Sequence, residues 1–139
     1  MLLDRNSLLK KEDLSVQKVE LGKDEFVFVR QMTGRERDRF EQSLIKEEKG
    51  AKGAVEYKRS LEDFRAKLVV CTVCDETGSL LLRPTDIEVL STSMSAARLE
   101  KIVNAAQALN NISEQDKEEL VKNSEAAPSG NSTSDSVKS

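Results

Sequence analysis

Cys71-Thr72-Val73-Cys74 is a C-x-x-C, the pair from which zinc sites and dithiol redox centres are built. A structural zinc site wants four nitrogen or sulfur ligands. This chain has only these 2 cysteines and no histidine at all. A redox dithiol wants its first thiol exposed at a helix N-terminus, where the dipole lowers its pKa. Here both thiols sit late in an apolar segment, so they read as small buried hydrophobes. Asp75, Glu76, Asp86 and Glu88 could be imagined around a cation, but their spacing does not match an EF-hand loop, and turn and capping roles account for all four. Lack of histidine also removes the commonest general base. No catalytic, cofactor-binding or metal-binding residue is therefore expected, and an enzyme is the last reading to consider.

Gly50-Ala51-Lys52-Gly53 is a G-x-x-G, the loop with which KH domains clamp a nucleic-acid backbone between two helices. The flanks, Lys46-Glu47-Glu48-Lys49 and Glu56, are charged where such loops sit between apolar helix ends. Lys plus Arg number 22 against 25 acids, a net charge of −3, which is not a basic footprint. The alternating signs of Arg35-Glu36-Arg37-Asp38-Arg39 read as a solvated helix face, with Arg37 and Glu41 spaced to pair. There is no Walker A loop. Neither nucleic acid nor membrane is expected as a partner: the longest apolar run is far short of the roughly 20 residues that span a bilayer. The first 11 residues do not read as a secretory signal, so a cytosolic setting is expected.

These residues need elements to position them. At 139 residues, 34% charged and 37% apolar, the chain predicts one domain with a modest core. A short helix is predicted near 7–11. Leu14 and Val16 alternate, as do Val19 and Leu21 in the other phase, so a strand with a bulge near Gln17 and Lys18 is expected. Gly22-Lys23-Asp24 supplies a turn and Phe26-Val27-Phe28-Val29 a second strand, which makes a hairpin. Thr33 and Glu36 have capping-box spacing, predicting a helix over 34–49. Leu61, Phe64, Leu68 and Cys71 recur at helical steps, predicting a helix over 55–74, with a strand as the alternative at its β-branched end. A third short strand is a candidate over 79–83. Helices are predicted over 86–90, 96–109 and 113–122, the last anchored only by Leu120 and Val121. The fold class is α+β and mostly helical, an N-terminal hairpin packed on four to five helices in a domain over 1–123. Residues 124–139 contain 6 serines, Pro128 and Gly130, and are expected to be a disordered tail.

The hairpin is the unusual feature. Phe26 and Phe28 point to one side of their strand, Val27 and Val29 to the other. A hairpin half in water would show a polar row. Its second face must be covered by the remaining elements of the chain or by a neighbouring copy, and the two-sided pattern favours the copy. Val19, Leu21, Phe26, Val27 and Val29 are the candidate self-association or client surface. Phe28 is expected on the core side, because large rings dominate core energetics.

From 13 to 112 the succession of elements resembles the tail assembly chaperones of long-tailed bacteriophages. The resembling patterns are Phe28-Val29-Arg30-Gln31-Met32-Thr33, the charged helix with Phe40, and Arg65-Ala66-Lys67-Leu68-Val69-Val70. They continue with Asp75-Glu76-Thr77-Gly78, the Leu80-Leu81-Leu82 run, Asp86-Ile87-Glu88-Val89-Leu90 and the helix ending Leu109-Asn110-Asn111. The resemblance implies a non-enzymatic protein of the infected bacterial cytoplasm that is absent from the finished virion. It implies binding to the largely helical tape measure protein, recruitment of tail tube protein, action as a homo-oligomer, and a frameshift-extended form of the same chain as a further partner. No cofactor goes with it. The rival readings are a small KH-like nucleic-acid-binding module using the Gly50 to Gly53 loop and a structural tail component.

Overall fold

The computed structural model describes residues 1–50 and 53–119. Asp4 accepts from the Ser7 amide at 2.9 Å and opens a single turn, α1 (Arg5–Leu8), all of it exposed. Two strands follow, β1 (Val16–Gly22) and β2 (Glu25–Arg30). Lys23 and Asp24 between them both take positive φ, 48° and 65°, the left-handed pair that a tight hairpin turn demands. The ladder runs unbroken from Val16↔Arg30 to Glu20↔Phe26, and the irregularity comes at Glu20/Gly22 beside the turn, not at Gln17 and Lys18. Leu21 is the unpaired residue there, next to Gly22, whose φ of 110° suits glycine.

Thr33 and Glu36 form the reciprocal cap: the Glu36 amide donates to Thr33 Oγ1 at 3.2 Å, and the Thr33 amide to Glu36 Oε1 at 2.9 Å. The helix they start, α2 (Gly34–Gln42), is shorter than the predicted 34–49. Phe40 and Leu44 are buried, but Glu47 offers nothing apolar one turn further on. A helix continuing there would have no stripe to hold it on the core. The chain turns instead into β3 (Ile45–Lys49), paired antiparallel with β4 (Val55–Arg59). The predicted helix over 55–74 is thus also divided. Val55 and Tyr57 alternate as β-formers, Asp63 adopts φ 60°, and α3 (Phe64–Thr72) starts only after it. The strand alternative holds at the far end, where Val73–Cys74 leave the helix as β5 and pair with Val29 and Phe28. β5, rather than 79–83, is therefore the third strand; of the Leu80 to Leu82 run only Leu80 forms a bridge, to Cys74.

A 3-10 turn (Pro84–Asp86) leads into α4 (Ile87–Ser93). Asp86 Oδ2 caps this turn by accepting from the Arg83 amide at 2.8 Å. α5 (Ala96–Leu109) matches its predicted bounds, with Ser95 Oγ accepting from the Arg98 amide. α6 occupies 114–119, opened by a reciprocal Ser113–Asp116 cap. Leu120, Val121 and the Ser-rich stretch lie outside the described residues.

The fold is α+β. The sheet β1-β2-β5 lies against α5, which packs in turn on α3. Val19, Val29 and Val73 from the sheet meet Leu68, Val69, Leu99, Ile102, Val103 and Ala106 from the helices. Phe40 and Phe64 close one end edge to face, centroids 5.6 Å apart. Asn110 fastens the sheet to α5: its Oδ1 accepts from the Met32 amide at 2.7 Å, and its Nδ2 donates to the carbonyl oxygens of Ala106 and Arg30. Among the described residues no helix is long and apolar enough to cross a membrane.

A candidate client-binding strip

The strand alternation decides which side of the hairpin is inside. Val29 is fully buried, Val19 nearly so, and Leu21 and Val27 pack partly buried against the same core. Four of the five residues predicted for a shared surface therefore lie on the side that the chain's own helices cover. Phe26 is the exception, 47% exposed. Phe28 shares its side, so the expectation that Phe28 faces the core is corrected. The reason is volume: α5 approaches the sheet closely, with Val103 and Ala106 at the contact, and valines fit that gap where two phenylalanine rings would not.

The outer side is not bare. Phe26 and Phe28 meet edge to face at 5.5 Å, and Lys18 Nζ lies 4.3 Å above the Phe26 ring. Across the sheet, Lys18, Phe28, Cys74 and Leu80 occupy successive partners in one row and so share this face. Leu80 then forms part of a second surface, a groove of about 280 Å³ between α2, α3 and residues 80–87. Phe40, Val70, Leu80, Leu82 and Ile87 supply its apolar lining, and Glu36, Arg39 and Lys67 its charged rim. Leu81 is exposed beside it. An apolar strip thus runs from Phe26 over Phe28 and Leu80 into the groove.

A partly buried ion pair fixes the two halves of the strip to each other. Arg30 Nη1 and Nη2 donate to Glu36 Oε1 and Oε2 at 3.1 and 2.8 Å, tying the end of β2 to the first turn of α2. Burial pushes the Glu36 carboxyl up, but the Arg30 fork and the Thr33 amide outweigh it and hold the pKa below the usual range. Lys67 Nζ donates to the Ser43 carbonyl at 2.7 Å and so fixes the rim against the end of α2.

The other sequence features find structural places. Cys74 is buried and Cys71 half-buried on the groove, both as free thiols. Burial raises both thiol pKa values, the reverse of what a reactive dithiol needs. Asp75 Oδ1 organises its turn by accepting from the Thr77 and Ser79 amides at 2.8 and 3.0 Å. Among the described residues, no group of three or more acidic, cysteine or histidine side chains could hold a metal ion. Gly50 and Gly53 lie between two strands, so the pair of helices that a KH clamp requires does not flank this loop.

The groove was missed in the sequence because its residues come from three separate segments. The readable sign was the Leu80-Leu81-Leu82 run, too apolar for one exposed connection and too short to be a buried strand. A scan of protein-family models and searches of curated proteins and of solved structures each return no match to this chain.

Proposed function

We propose that this protein is a non-enzymatic assembly chaperone that holds a long helical client in solution, with the tape measure protein of a phage tail as that client. The observation that carries the reading is the apolar strip from Phe26 and Phe28 through Leu80 into the groove lined by Phe40, Val70, Leu82 and Ile87. An amphipathic helix binds by laying its apolar stripe into such a groove, and charged residues at the rim fix its direction. The order of elements, which resembles the tail assembly chaperones, names the client class. On that resemblance the protein also recruits tail tube protein, acts in several copies in the cytoplasm of an infected bacterium, and is left out of the virion. Many copies along one long client raise the effective concentration of each contact. An excess of 25 acids over 22 bases favours a soluble complex.

Co-expression with a helix-rich tape measure segment tests the reading. The parent chain is expected to keep the segment in the soluble fraction, and Phe26→Glu with Leu80→Glu to lose it while remaining folded by circular dichroism. A segment that stays insoluble beside the parent chain overturns the proposal.

A further inference from the structure

The second hairpin is built differently from the first. β3 and β4 pair with each other and with no other strand among those described. A lone two-stranded ribbon is marginal in water. Residues 55–58 are all exposed, Tyr57 by 69%. The register sets Lys46 opposite Lys58, a like-charge rung that weakens the ladder. Lys46 reaches Glu62 at 2.6 Å, whereas Lys58 and Glu56 form no ion pair among the described residues.

Hydrogen-bond parity shows what the free edge of β4 can accept. The Ser60 amide donates to the Leu44 carbonyl, and the Gly50 amide to the Ala54 carbonyl. Those bonds bracket the ladder, and bonded rungs alternate between them. Lys58 and Glu56 therefore use their backbone groups on β3, while Val55, Tyr57 and Arg59 turn N–H and C=O outward.

Only some antiparallel registers bring outward groups together in a two-fold pair of β4 strands. With Glu56 on the axis, two carboxylates oppose each other. With Lys58 on the axis, two ammonium groups do. With Tyr57 on the axis the conflict disappears. Tyr57 then bonds Tyr57 of the partner subunit, and Val55 bonds Arg59 of the partner subunit. Glu56 stands opposite Lys58 of the partner subunit, and this happens twice by symmetry. Those charge pairs fall on unbonded rungs, where the Cα atoms approach to about 4.5 Å and side chains meet best. We propose that the free edge of β4 is a homodimer interface, joining two copies into a four-stranded sheet β3-β4-β4-β3 with Tyr57 on the two-fold axis.

β1 also has a free edge with Lys18 and Glu20 on it, but these pair on their own strand at 3.8 Å, and the sheet behind them already rests on α5. β4 has neither satisfaction. The proposal goes beyond the client reading and stands without it, because β4 is separate from the strip that would hold a helix.

Charge reversal tests it in sedimentation velocity at tens of micromolar. Glu56→Lys alone places two lysines opposite each other across the axis, and Lys58→Glu alone places two glutamates so. Each variant is expected to sediment as a smaller species than the parent with an unchanged circular dichroism spectrum. An equimolar mixture of the two is expected to restore the parent's size, since both 56/58 rungs then join opposite charges. Tyr57→Cys should give a disulfide dimer under mild oxidation, because bonded antiparallel partners lie about 5.5 Å apart at Cα, within disulfide range. A monomeric parent, single variants that sediment like the parent, or a mixture that stays small would each overturn the interface. Client solubilisation that survives such a failure leaves the chaperone reading intact.

Discussion

Removing Glu36 probes the joint on which the strip depends. Breaking a fully buried ion pair by deleting one partner costs about 3–5 kcal/mol, mostly for the charge left behind. Here the Arg30 side chain is 8% exposed and that of Glu36 26%. Water screens part of the loss, leaving about 2–3 kcal/mol. Glu36→Ala also deletes the acceptor for the Thr33 amide, half of the capping box, for about 0.5–1 kcal/mol more. A total of about 3 kcal/mol is expected. Thr33→Ala, which removes only the hydroxyl half of the cap, should cost about 1 kcal/mol. Glu41→Ala breaks a pair about a third exposed on both sides and should cost no more than about 0.5 kcal/mol. Urea unfolding followed by circular dichroism measures all three. The carboxyl of Glu36 is held below its ordinary value near 4.5, so the folded state binds its proton later than the unfolded one. Its contribution is complete above that ordinary value and is lost as pH falls through the lower folded value. The difference between parent and Glu36→Ala should therefore be largest at neutral pH and shrink in acid. Equal costs for Glu36→Ala and Glu41→Ala would refute the claim that the Arg30 pair, rather than propensity, holds α2 to the sheet.

Three further outcomes follow from the same geometry. Val29→Lys should unfold the domain, since its site is fully buried, while Phe28→Lys should leave a cooperative thermal transition; if both merely unfold, the assignment of inner and outer faces fails. Asn110→Ala strands the Met32 amide and loosens the sheet from α5, and a loss of about 2–3 kcal/mol in denaturant titration is expected, with less than 0.5 kcal/mol arguing against it. Cys71 and Cys74 should react with a thiol reagent slower than a free thiol at pH 8, because burial raises both; rapid labelling of Cys74 in the folded chain would contradict this.

Much of the fold is legible in the residues, and the exceptions have physical causes. α5 could be bounded to the residue because Leu99, Ile102, Val103 and Ala106 hold a helical stripe between a serine cap and Asn110. The first hairpin could be read from its turn chemistry and alternation. The second hairpin could not. Ile45 to Lys49 is rich in Lys and Glu, good helix formers, and its strand state comes from pairing with Val55 to Arg59 across a loop. Propensity sees a neighbour in sequence and not a partner across a turn. The face of β2 was equally hidden, since two phenylalanines and two valines alternate and only the close approach of α5 selects the smaller pair. The groove is assembled from α2, α3 and residues 80–87, none of which contains it alone.

Hydrogen exchange on the protein with and without a soluble amphipathic helix cut from a tape measure protein tests the client strip most directly. Slower exchange confined to 26–30 and to the groove segments 36–43 and 80–87 is the expected result. Binding that protects other segments and leaves these unchanged, or no binding at hundreds of micromolar, would contradict it.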